Sequence, residues 1–205
     1  MVKAGVVIGA VAGYGLAAAL LSGCSGELAP TVGSSDAGSA ASSAAHTPLA
    51  GAIPDNQAFV AFTALNHSYS VKIPQDWAQT TAGSELRFTD KSDSITLSPR
   101  AGFYYPTEAY ARVVEAPEIA RTAKGFALGE ITMVQRHAGP VILVTYHAES
   151  PPDPVTGKSV LLAVERYEFA KPGRGDEVVL TVCAPAGSDN VTPWRLVTDS
   201  FSWLS

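Results

Sequence analysis

Four long apolar runs, set one after another between Ala127 and Cys183, constrain this 205-residue chain most strongly. They are Ala127–Arg136, Val141–His147, Ser159–Phe169 and Glu177–Cys183. Each is rich in Val, Ile, Leu or Thr and is followed by turn residues, which predicts strands rather than helices. The separators are His137-Ala138-Gly139-Pro140, a loop with Pro151, Pro152, Asp153, Pro154 and Gly157, and Lys171-Pro172-Gly173-Arg174-Gly175. Adjacent strands joined by short connections read as an antiparallel meander.

The flanking segments add to that sheet. Phe59–Leu65 is apolar and β-compatible, Asn66-His67-Ser68 is a turn, and Tyr69–Ile73 alternates with period two. Pro74-Gln75-Asp76-Trp77 turns the chain at a large aromatic. Leu86–Thr89 and Ile95–Ser98 alternate across Asp90-Lys91-Ser92-Asp93, a hairpin with a turn longer than the favoured two residues. A helix is predicted from Pro106 at its first position, with Thr107 and Glu108 favouring the dipole and Tyr110, Val113 and Val114 on its apolar face. Pro117 is expected to break or kink it at Ala116, and Gly125 to end it. A last helix, capped by Thr192 with Pro193 first, spaces Trp194, Leu196, Val197, Phe201 and Leu204 for one face. The fold class expected is α+β: an antiparallel β-sheet flanked by helices, over one domain from Gln57 to Ser205.

Ahead of that domain, the chain carries an address. Lys3 precedes an uncharged run from Ala4 to Leu21, and Leu21-Ser22-Gly23-Cys24 follows. A cation, an apolar stretch, small residues and a cysteine form the pattern of an exported precursor with a lipoprotein box. Cleavage between Gly23 and Cys24 would leave the Cys24 thiol to carry a diacylglyceryl thioether. Two acyl chains already give stable anchoring, at about 0.8 kcal/mol per buried methylene. No basic residues follow Leu21 directly, as a retained stop-transfer segment would need. Residues 1–23 are therefore expected to be a signal peptide. Residues 24–56, dominated by Ala, Ser, Gly, Thr and Pro, are expected to form a lipidated tether with an r.m.s. span near ~30 Å.

Charge and cysteine usage fit export. The net charge is −5; loss of residues 1–23 removes Lys3 and no acid, leaving 13 basic and 19 acidic side chains and a net −6. With no basic cluster, nucleic acid is excluded as a partner, and so is electrostatic binding to anionic head groups. The membrane contact expected is through acyl chains on Cys24. Cys183, the second of two cysteines, sits in an apolar run and is expected to be buried rather than reactive.

Two segments carry a family likeness. Tyr69-Ser70-Val71-Lys72-Ile73-Pro74-Gln75-Asp76-Trp77 resembles the opening strand and aromatic corner of PsbP-like domains, although Asp76 stands where Gly is commoner. Trp194-Arg195-Leu196-Val197-Thr198-Asp199-Ser200-Phe201-Ser202-Trp203 resembles their closing helix. With the lipobox and the Ala/Ser-rich tether, the whole is similar to the mycobacterial LpqN/LpqT-type lipoproteins. That resemblance implies a PsbP-like α/β/α sandwich and a non-enzymatic fold used for docking and assembly.

Catalytic and cofactor motifs do not emerge from the residues. Ser22-Gly23-Cys24-Ser25-Gly26 mimics a nucleophile elbow only superficially, and Gly173-Arg174-Gly175 is too short for a phosphate loop. His46 falls in the tether and His67 in a turn. His137 and His147 flank one hairpin and could approach each other near Glu149, the one metal-like grouping. Glu165 and Glu168, three apart on a strand, point to opposite faces and cannot form a dyad. The sequons at Asn66 and Asn190 read as a turn and a helix start. The candidate binding surface is aromatic: Trp77 with Phe103, Tyr104 and Tyr105, lining a groove between sheet and helix. The expectation is an envelope binding or assembly module of an actinobacterium with no cofactor, docking an envelope protein; the alternative is a carrier of an envelope lipid or glycolipid.

Overall fold

The computed structural model describes residues 52–101 and 106–205, and the expected signal peptide and most of the tether lie outside them. Among the described residues, ten strands form two antiparallel sheets. The larger contains β3 (Ala78–Ala82), β4 (Glu85–Asp90), β5 (Asp93–Arg100), β6 (Ala127–Arg136), β7 (Gly139–Glu149), β8 (Leu161–Ala170) and β9 (Glu177–Pro185). Its order, β3-β4-β5-β9-β8-β7-β6, is the expected meander with the β3–β5 segment added beside β9. The smaller sheet, ordered β1-β2-β10, holds β1 (Phe59–Thr63), β2 (Tyr69–Pro74) and β10 (Ser202–Trp203).

Side-chain alternation on the large sheet sorts residues into two cores. Ile95, Leu97, Val141, Tyr167, Phe169, Val178, Leu180 and Val182 face the small sheet and the C-terminal helix, Val191–Asp199, which buries Trp194 and Val197. Ile142, Val144 and Ile131 face the other way, against Ala111 and Ala116 of the middle helix. The α+β class therefore holds, with two sheets where the sequence suggested one. Asp76, the departure from the family pattern, has φ +67, the left-handed region that favours Gly and that Asp tolerates better than most residues.

Several local expectations change. The hairpin between β4 and β5 pairs Asp90 with Asp93, so Lys91 and Ser92 make a two-residue turn after all, with Lys91 at φ +52. The middle helix begins at Glu108, and Thr107 caps it by accepting from Tyr110 N at 3.1 Å, so Pro106 stands before the helix. It runs on through a π-turn, Ala111–Glu115, into Ala116–Thr122. Pro117 does not break it: its missing N–H and its ring are accommodated by the wider turn ahead. That extra residue also rotates the face, so Ala111, Glu115 and Ala116 are buried while Tyr110 and Val113 face solvent. The last helix stops at Asp199, and Ser202–Trp203 leave it to pair with β2. Its cap position is Asn190, whose carboxamide instead accepts Ile53 N at 2.7 Å. Ile53 is buried in the core, so ordered packing reaches ahead of Gln57.

Strand β6 is an open edge, and its protection is visible. Glu108 accepts the outward Met133 N–H at 2.8 Å, and the register shifts between Leu128 and Ile131. Gly129 sits in that bulge, where a Cβ would run into Thr145, whose hydroxyl accepts Glu130 N.

Candidate functional site

Residues named from the sequence fall in different places. Gly23, Cys24, Phe103, Tyr104 and Tyr105 lie outside the described residues. Trp77 is partly buried against the core beneath the C-terminal helix, the face opposite the middle helix. It lines a hollow of about 100 Å³ with Ile53, Pro54, Gln57, Lys91 and Asp93. The histidine pairing is overturned by register. His147 pairs with Ala127 near one end of β7, while His137 lies in the turn before Gly139 at the other. Eight residues of strand, about 27 Å, separate them. Glu149 is committed to Lys124 at 2.6 Å. No group of three or more candidate ligands among the described residues could hold a metal ion.

Cys183 is buried, as its apolar run implied, and burial pushes its thiol up to about 11, far from thiolate at neutral pH. Asn66 forms the expected turn, its side chain accepting both Ser68 N at 3.2 Å and Ser68 Oγ at 2.7 Å.

The principal polar feature was not legible as a unit. Glu115 from the π-turn, Arg166 and Glu168 from β8, Glu177 from β9 and Arg100 from β5 meet between the middle helix and the large sheet. Alternation places Arg166 and Glu168 on one face of β8, and Glu165 on the other, where it accepts the Tyr167 hydroxyl at 2.6 Å. Glu115 is the hub. Its Oε1 accepts Arg100 Nη1 at 2.8 Å and Arg166 Nη2 at 3.2 Å. Arg166 Nε lies 3.4 Å from Glu168 and Arg100 Nη1 3.6 Å from Glu177. Glu168 and Glu177 are 0% and 2% exposed.

Three carboxyls face two guanidiniums, so full ionisation would leave one buried negative charge. Burial and the neighbouring Glu115 carboxyl push Glu168 up to about 9, which resolves the excess with a proton. Burial alone would raise Glu115 too, but its hydrogen bond with Glu168 and the Arg166 and Arg100 cations bring it below the ordinary value. The geometry agrees: Glu115 Oε2 and both Glu168 oxygens lack any other hydrogen-bond partner, so a proton on Glu168 supplies the missing donor. Burial also raises Glu177, against the pull of Arg100.

With Glu168 protonated, the cluster ties the middle helix to the large sheet through the Glu115 bonds to Arg100 and Arg166, while both Glu177 oxygens and Arg166 Nε make no hydrogen bond. A hollow of about 190 Å³ reaches it from outside, lined by Arg100, Glu115, Glu118, Ile119, Thr122 and Arg166. The signal available in the sequence was charge inside otherwise apolar strands, at Arg166, Glu168 and Glu177.

The cluster sets a pH dependence with a definite sign. Glu168 holds its proton when folded up to about pH 9 and releases it near 4.5 when unfolded. Between those values the folded state binds more protons, so stability falls as pH rises. Asp93, raised to about 7 by burial and by Asp90, adds to the fall below neutrality. Glu115 acts oppositely, and its contribution is lost only in acid. The unfolding free energy from urea titrations is expected to be highest near pH 5 and to drop by more than about 2 kcal/mol by pH 9. Glu168→Gln should flatten that decline; an unchanged slope would place the proton elsewhere.

A second clamp holds the C-terminal helix. Arg136 donates to Tyr167 Oη at 3.0 Å and to Thr198 Oγ1 at 3.1 Å, and lies 3.7 Å from Asp199.

No protein-family model matches the sequence, and no curated protein does. Solved structures do resemble the fold. Cyanobacterial PsbP from Synechocystis aligns at TM-score 0.48 and 9% identity, over 72% of this chain and 94% of its own. LpqN of Mycobacterium tuberculosis, described as involved in cell envelope biogenesis, aligns at 0.40 and 14%, over 74% of this chain and 93% of its own. A protein of Bacteroides thetaiotaomicron aligns at 0.47 and 11%, over 71% of this chain and 48% of its own, so the chain spans about half of that protein's length. At these identities the likeness is one of fold alone.

Proposed function

We propose that this chain is an exported lipoprotein, held to a cell membrane by acyl chains on Cys24, whose α+β head is a non-enzymatic binding or assembly module of an actinobacterial envelope. The observation that carries it is the order Lys3, apolar run, Leu21-Ser22-Gly23-Cys24, followed by a small-residue tether. The head supports a docking role through what its charged groups do. Its largest ionic cluster is spent on internal packing, and the only other ionic network that reaches the core holds the C-terminal helix, among the described residues. A lipid or glycolipid carrier would need an apolar cavity of about 300 Å³ or more. Of the hollows lined by described residues, those at Arg100–Arg166, at Arg100–Trp203 and at Trp77 measure about 190, 200 and 100 Å³ and have charged side chains in their walls, so none of these three is such a cavity.

Cys24→Ala is expected to abolish metabolic labelling with a fatty acid and to leave an uncleaved precursor or a protein released from membranes. Unchanged labelling of that variant would overturn the lipoprotein reading. Cross-linking in intact cells, followed by mass spectrometry, would identify the docked protein; recovery of an envelope lipid at one-to-one stoichiometry with detergent-free protein would establish the carrier instead.

A further inference from the structure

We propose that the end of the domain at which the chain enters the fold is a membrane-resting face, with the β7–β8 hairpin as the element that dips into the bilayer interface. This rests on the lipoprotein reading and names the surface that faces the lipid.

The entry point is fixed. Ile53 is buried, and its N–H is held by Asn190 at 2.7 Å, while the Asn190 amide also reaches Asp93 at 3.3 Å. Antiparallel register carries that end across the molecule: Ser94 pairs with Cys183, and Leu162 with Pro185. The start of β5, the end of β9, the start of β8 and the first turn of the C-terminal helix therefore share one end with Ile53. So does the β7–β8 connection, because Glu149 pairs with Leu161.

That end displays aliphatic side chains without cover. Val155 is 91% exposed, Val191 73%, Leu161 52% and Val160 41%. The hairpin continues past the last rung shared with β9. Ser150 N donates to Val160 O and Asp153 N to Lys158 O, about 13 Å of additional ladder at ~3.3 Å per residue. Its tip is rigidly built. The Asp153 carboxylate accepts Val155 N at 3.0 Å, Thr156 N at 2.7 Å and Thr156 Oγ1 at 2.9 Å, and Gly157 at φ +68 closes the turn. A tip ordered by three such contacts, with its valine pointed outward, presents that valine at little further ordering cost.

Exposure alone does not choose this end, since Leu65 is 95% exposed at the other. Chain connectivity does. Residues 25–52 connect Cys24 to Ile53, and the tether expected from their composition would reach about 30 Å r.m.s.. Leu65 stands a further strand length away, about 27 Å for the eight residues of β5. A few aliphatic side chains partition too weakly to hold a free protein at a bilayer. A tether that keeps the head at millimolar local concentration makes the same contact intramolecular, and weak insertion then suffices. The tip itself carries exposed Asp153, bound to the N–H groups of its own turn, and exposed Lys158, so it has no net charge and dips only as far as both groups stay hydrated; at the same end Lys91 lies by Asp90 and Lys124 by Glu149. The contact is accordingly expected with neutral phospholipid and at high salt.

The test couples the chain from Cys24 onward, through that thiol, to maleimide phospholipid in phosphatidylcholine vesicles; buried Cys183 does not compete. Amide hydrogen exchange is compared with the same chain capped by N-ethylmaleimide and mixed with plain vesicles. Amides of 153–161 are expected to slow about threefold or more on tethering, with 64–68 unchanged. Val155→Asp with Leu161→Asp, both at exposed positions, should remove that protection alone. Unchanged exchange at 153–161, or protection at 64–68 instead, overturns the inference. Because the coupling is chemical, this result stands whether or not Cys24 is lipidated in the cell, which the labelling of Cys24→Ala decides separately.

Discussion

Glu115→Ala is expected to destabilise the domain by about 3–5 kcal/mol at pH 7, the range for removing one partner from a buried ionic group. The carboxylate accepts from two guanidiniums at 2.8 and 3.2 Å, and Arg166 is only 12% exposed. Its loss leaves Arg166 facing a protonated Glu168 and Arg100 facing Glu177 at 3.6 Å. The remaining groups can respond in one way. With the Glu115 charge gone, one cause of the raised Glu168 value disappears, and Glu168 should ionise near neutral pH to pair with Arg166. The variant should therefore lose stability least at alkaline pH, with a shallower decline than that expected of the parent chain. Urea unfolding at pH 5, 7 and 9 measures both effects. Glu118→Ala is the control: its carboxylate is 62% exposed and pairs only with exposed Arg121, so a change within about 0.5 kcal/mol is expected. A Glu115→Ala loss below about 1 kcal/mol would mean that solvent entering the neighbouring hollow neutralises the arginines.

What could be read in advance follows from how far each signal reaches along the chain. The meander was legible because period-two patterning and Gly/Pro turns are local, and β6 to β9 pair with their sequence neighbours. Placing β5 beside β9 depends on contacts about eighty residues apart, and splitting β1, β2 and β10 into a separate sheet depends on Ser202 meeting Ser70. Neither has a local signature. The middle helix was legible as a helix and misread in its face. Spacing by 3.6 assumes a regular turn, and the π-turn at Ala111–Glu115 shifts every later position. That shift is what buries Glu115, so the ionic cluster depends on the same irregularity the pattern could not reveal. Trp77 could be placed at a corner from sequence; which core it packs against could not.

The two sheets are joined at Phe201, and its removal should separate them. The ring is fully buried, stacked on Phe169 of β8 at 4.1 Å and on Tyr69 of β2 at 5.5 Å, with Trp203 edge-on at 5.3 Å. It thus bridges the large sheet, the small sheet and the exit of the C-terminal helix at once. Phe201→Ala is expected to cost about 3–5 kcal/mol through lost burial and the cavity left behind, while Phe201→Leu, which keeps most of the volume, should cost about 1–2 kcal/mol. The loss should also be uneven. β10 is two residues long and pairs only with Tyr69 and Ser70, and Phe201 immediately precedes it. Hydrogen exchange in the alanine variant should quicken first at 202–204 and in β2, with the β7–β8–β9 ladder still protected. Uniform acceleration across both sheets would show instead that they unfold as one cooperative unit, with Phe201 contributing to a single core rather than to a joint between two.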